Sequence, residues 1–223
     1  MQRKYKLLED DYILLSAGEK LFRIRALCDF GVVSAGDLGG YIASENNLSH
    51  KGKCWVFGDA KVFEQAEVLD DAAVCCDAKV YGNAVVKKNA IIDDRATVCE
   101  SAVVSGSAMV FGSSEVYGNA TVFDSAKVCD YASVYDDASV FDYAHITHQA
   151  KVHGRARVYG TAIVSDEARV RGEARIFDNA RILGSAIVTD NVQVCGHAEI
   201  ETNGSLLGVD NILSGCLRIS TDE

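Results

Sequence analysis

Proline is absent from all 223 residues. Average usage of about 5% would place roughly eleven. Such a gap fits a chain in which nearly every backbone N–H is committed to a ladder, because proline donates none. Other things are missing as well. No apolar run approaches the roughly 20 residues that span a bilayer, and no helical amphipathic stretch is present, so no membrane contact is expected. The opening MQRKYKLLEDD lacks an apolar core and a cleavage site, so it does not read as a secretory leader. None of the eight cysteines forms a CxxC pair. The GDLGG stretch has no lysine at the spacing of a phosphate-cradling loop and leads into no helix. The TxT array of ice-binding solenoids is also missing.

What fills the chain is a repeat of six residues. A branched aliphatic residue stands at 56, 62, 68 and onward to 200, twenty-five times in succession, and is always Val or Ile. The position two residues earlier, from 60 to 198, is Ala at twenty-two of twenty-four places, with Ser114 and Val192 the exceptions. Residues two apart point to the same side of a strand. The position two after each aliphatic residue is Gly ten times and Asp nine times in twenty-four; both tolerate the positive φ of a tight corner. One hexad is then a short strand plus a corner, and three hexads make a triangular coil of 18 residues. The fold expected is all-β, a parallel β-helix of about eight coils and roughly 40 Å. Valines fill three inward stacks, and alanines pack where the triangle is narrowest.

The pattern divides the chain into a β-rich capping module (1–54), the solenoid (55–201) and a short C-terminal cap (202–223). In the first, KYKLL, YILL and LFRIRAL read as strands, with a turn at Ser16–Glu19 and with Gly36, Gly39 and Gly40 bending the chain into the first coil. In the last, CLRIS reads as a strand. Atypical end units protect the open ladder edges of a solenoid. Winding the chain by 18 puts Cys75 and Cys129 on one face but three coils apart, about 14 Å, too far for a disulfide. Free thiols and a cytoplasmic location are the expectation. The net charge is −10, yet residues 151–183 carry seven Lys/Arg against four Asp/Glu. An acidic remainder argues against nonspecific nucleic-acid binding by the whole molecule.

The aliphatic residue followed four later by a small one, as in Val56 to Ala60, resembles the hexapeptide-repeat superfamily of single-stranded left-handed β-helices. The opening DFGVVSAGDLGGYIASENNLS followed by WVFGDAKV resembles its YdcK-type members, which occur in bacteria and in phage or prophage genomes. Many of those carry an acyltransferase label. The resemblance implies left-handed winding, a trimer and, for an enzyme, acyl-CoA in a groove at a subunit boundary with a histidine base on a loop. One departure stands out: Gly/Asp falls one residue later than in the usual motif.

An acyltransferase needs a base near its nucleophile. The candidates are His145, His148 and His153, but the unbroken register leaves no room for a catalytic loop. Catalytic residues are therefore expected to be none. His148-xxxx-His153 has the spacing of zinc ligands in relatives of this fold, but a third ligand two coils earlier would fall at Gly112, so no metal is expected.

Stepping by 18 sorts the outward residues. Phe123, Phe141, Tyr159 and Phe177 form one column, with Arg157 and Arg175 beside it. This reads as a contact surface for a homo-oligomer, dimer or trimer. Phe63, Tyr81, Tyr117 and Tyr135 lie on the next face, which then turns basic at Lys151, His153, Arg169 and Arg171. That cluster reads as a site for a protein or anionic partner, with Tyr117 and Tyr135 placed to stack bases. Three functions follow in order. The first is a non-catalytic interaction protein (scaffold, inhibitor or sequestering protein) without cofactor. The second is an acyl-CoA-dependent acyltransferase, and the third a nucleotide or nucleic-acid binder.

Overall fold

Each Ala-x-Val unit is short because the residue two after the aliphatic one turns left-handed. All twenty-four such corners, from Gly58 to Gly196, have φ between 55° and 74°, fourteen of them non-glycine. The computed structural model describes residues 3–16, 18–202, 205–206 and 211–212. In it the chain winds as a parallel β-solenoid of three faces. Strands pair with the strand one coil away in strict register, as in Lys79↔Thr97 and Val80↔Val98. Nine strands stack on each of two faces, and the third carries nine more plus three from the N-terminal module. This is one coil more than the hexads suggest, because Ser205–Leu206 and Asn211–Ile212 still pair onto the stacks. CLRIS lies outside the described residues.

The core is what the pattern requires. Every Val or Ile of the six-residue repeat, from 56 to 200, is inaccessible to solvent, as is every alanine of the repeat. Ser114 sits in an alanine place because its hydroxyl donates to the carbonyls of Phe111 (2.8 Å) and Val128 (3.2 Å).

Strand β1 (Tyr5–Leu14) absorbs both KYKLL and YILL, and pairs antiparallel with β2 (Lys20–Ala26) across an irregularity between Leu7 and Tyr12. The turn closes through Gly18, at φ 84°. Strand β3 (Leu38–Ile42) lies antiparallel to β2 and parallel to Lys61–Val62, so the hairpin continues one solenoid sheet. Gly39 and Gly40 therefore lie in a strand rather than a bend. They are needed for close approach: a Cβ would stand 2.6 Å from Ile24 at Gly39, and 2.5 Å from the Ala60 carbonyl at Gly40.

The open end of the ladder is sealed by side chains. Asn47 is fully buried, and its amide donates to the carbonyls of Glu64 (3.1 Å) and Ala66 (2.9 Å). Lys4 is buried with its ammonium 2.8 Å from the Cys54 carbonyl and 4.9 Å above the Phe30 ring. Tyr5 donates to the Leu48 carbonyl at 2.7 Å, and burial pushes its phenol up. Each feature satisfies a backbone group that a further coil would otherwise have met.

Candidate functional site

The aromatic columns are present and are stacks. Phe123, Phe141, Tyr159 and Phe177 lie ring over ring, 4.8–5.0 Å apart and within 5° of parallel. Coil spacing fixes this, since identical rotamers repeated every rung place flat rings at van der Waals separation. The stacking also makes the strip less exposed than its sequence suggests. All four rings are half-buried, while the most exposed aromatics of the solenoid are Tyr131 and Tyr143, at corners. Arg157 and Arg175 pair across adjacent strands beside the strip.

On the neighbouring face Phe63 stacks on Tyr81, and Tyr117 on Tyr135, each at 4.9 Å. His153 extends the second stack, 4.6 Å above Tyr135. Both faces of Tyr135 are thus covered, so a ligand there would meet ring edges and hydroxyls rather than an open face. Burial holds the imidazole of His153 below the usual histidine range; Asp136, whose Oδ2 is 3.5 Å from Nδ1, opposes this shift, and Arg171 and Arg169 add to it. Tyr81 is pushed up to about 12, chiefly by its hydrogen bond with Cys99.

The structure does not bring the three candidate histidines together. His145 sits within a strand between Lys127 and Ile163, its imidazole lowered by burial and then by Lys127. His148 occupies a corner on a different edge, with Nδ1 3.2 Å from the Ser165 hydroxyl. His153 belongs to the tyrosine stack. Ser165 itself, the hydroxyl neighbour of His148, went unnoticed in the sequence. So did the set of donors formed by Cys76, Asp93 and Asp94, whose ligand atoms lie within 4.8 Å of one another. One sulfur and two carboxylates suit a divalent cation, but these donors already have partners. The Cys76 thiol is raised first by its hydrogen bond to Asp93, and Asp94 accepts from the Gly112 amide at 3.0 Å. Both associations are visible only once corners 18 apart are stacked, 148 beneath 166 and 76 beneath 94.

Some cations of the basic segment are paired with carboxylates and some are not. Arg155 meets Glu173 at 3.4 Å and Arg181 meets Glu199 at 3.5 Å. Lys151, Arg157, Arg169, Arg171 and Arg175 are exposed and have no carboxylate partner among the described residues. Lys151 and Arg169 pair in register and border an open groove of about 620 Å³ that also contains Tyr131, Gln149 and Glu167.

Fold and surface together define a parallel β-solenoid repeat protein. A family model described as YdcK Beta solenoid repeat matches residues 174–190, about the length of one coil, overlapping the end of this basic segment. No curated protein matches the chain. Among the described residues no helix is long and apolar enough to cross a membrane. None of the seven described cysteines is in a disulfide.

Proposed function

We propose that the protein acts without catalysis, by surface contact, as a scaffold or sequestering protein built on a rigid β-solenoid. The observation that carries this reading is the parallel aromatic strip from Phe123 to Phe177, bordered by the unpartnered Arg157 and Arg175. Stacked rings of fixed spacing offer a flat apolar surface at little cost in side-chain entropy. The first occupant is a second copy of the chain, because closed homo-oligomers are the commonest assemblies. The free thiols support a reducing, cytoplasmic setting.

The double variant Phe141→Asp, Phe177→Asp should shift the mass measured by sedimentation or light scattering from oligomer to monomer. Its circular dichroism should match the wild type. An unchanged oligomer, or a wild-type protein that is already monomeric, would remove self-association through this strip.

A second reading is supported by the five unpartnered cations: the basic face takes an anionic ligand. The acyl-CoA-dependent alternative would place His145, His148 or His153 at a subunit boundary. An acyl-CoA-dependent rise in melting temperature, lost on replacing one of those histidines, would favour it.

A further inference from the structure

Nine solenoid corners share one capping arrangement, and at one place neither of two stacked corners carries a side chain to supply it. At nine corners an acidic side chain accepts a hydrogen bond from the backbone N–H of the corner one coil further on, at 2.8–3.1 Å. Asp136, for example, takes the Gly154 amide at 3.0 Å. The next pair on that edge is Gly154 beneath Gly172, the only pair of successive glycine corners between 58 and 196. With no side chain at 154, no acceptor meets the Gly172 amide among the described residues, as above other glycine corners, but between 58 and 196 only this upper corner also lacks a side chain of its own. Every filled corner shows where the missing oxygen belongs: about 3 Å outward from the amide, one coil below it. Left-handed corners with outward amides form backbone concavities of the kind that bind anions.

The bare corner lies inside the basic segment. Arg169 and Arg171 precede Gly172 on one face, and Arg175 follows it on the next, with Arg157 one coil below. Two of the nearby acids are already engaged, while Asp190 occupies the corner directly above Gly172. Glu173 pairs with Arg155, and Asp136 with the Gly154 amide and His153. We infer that the Gly154–Gly172 corner is an anion subsite in which a phosphoryl oxygen takes the place of the absent corner carboxylate, with Arg171 and its neighbours neutralising the remaining charge. Arginine forks match phosphate oxygens bidentately, which favours phosphoryl groups over a single carboxylate. This inference rests on the second reading of the basic face and assigns its ligand chemistry and its point of contact.

The test follows the Gly172 amide resonance in 15N-labelled full-length protein during titration with pyrophosphate, a nucleoside triphosphate and a single-stranded oligonucleotide. The Gly172 amide should be among the most shifted. Gly154→Asp supplies the missing carboxylate in the manner of the nine aspartates at other corners, although its Cβ would stand 2.9 Å from the Gly172 nitrogen and the backbone must shift to admit it. It should weaken binding at least tenfold. Gly106→Asp, on another edge, adds the same charge and should bind as the wild type. Arg171→Gln should weaken binding several-fold and provides the test if Gly154→Asp fails to fold. Tightest binding of the oligonucleotide would assign the phosphoryl group to nucleic acid; tightest binding of the small phosphates would assign it to a free metabolite. The inference falls if no titrant moves the Gly172 amide, or if Gly154→Asp binds as the wild type. Polyanion binding with an unmoved Gly172 amide would leave the basic face standing and sink the corner subsite alone.

Discussion

Corner aspartates combine two properties. Their side chains tolerate left-handed backbone, and their carboxylates reach the amide of the next coil. Asp130 shows the effect most fully. It accepts from the Thr147 hydroxyl and from the His148 amide at 3.1 Å, and these bonds, in that order, hold its carboxyl below the usual range. A lowered folded pKa means stability that is present above the ordinary value near 3.8 and lost as pH falls through the lowered one. Asp130→Ala should therefore lower the melting temperature at pH 7 and reduce the further loss between pH 4 and 2. The cost should be about 1 kcal/mol, since the group is well solvated. Equal acid sensitivity in both proteins would contradict this role. In the sequence the corner acids read only as turn formers and as negative charge. Their capping role needs the residue 18 positions away.

The elements at the N-terminal end were partly legible. The hairpin could be read from KYKLL, YILL and LFRIRAL, but the two leading strands proved to be one. The first irregular coil was hidden. Ile42 and Leu48 stand six apart and pair with Val62 and Val68, each twenty residues on rather than eighteen. Two extra residues before Trp55 broke the visible register, so this coil looked like part of the cap. Asn47 completes the coil by standing in for a missing strand. Asn47→Ala would leave the buried Ala66 carbonyl and the part-buried Glu64 carbonyl without this donor, at a cost of about 1–3 kcal/mol. The expected result is a lower urea midpoint with an unchanged m-value; a midpoint equal to the wild type would show that water replaces the amide.

At the scale of the molecule, each coil touches only its neighbours, so stability is close to a sum of rungs and rung interfaces. Val134 lies mid-stack, between Val116 and Val152. Val134→Ala should cost about 2 kcal/mol through lost burial and the cavity left behind. Hydrogen exchange should quicken most in the coils on either side and less with distance. Uniform acceleration along the whole body would argue for one cooperative unit instead. The same linearity explains the surface. A rigid repeat turns a sequence column into a spatial column, so the aromatic strip and the basic patch could be located before any coordinates.

The amino-acid sequence by itself determined the solenoid: its six-residue side, its buried valine and alanine stacks, and which residues share a face. It could do so because a repeat this regular leaves one way to bury the branched side chains. Tertiary structure decided what each column does. Only the spacing of rungs shows the rings closing on one another and, among the described residues, the five basic-face cations without a carboxylate partner and the Gly172 amide without an acceptor. Those outcomes depend on which side chains meet across 18 residues, and no local pattern contains that information.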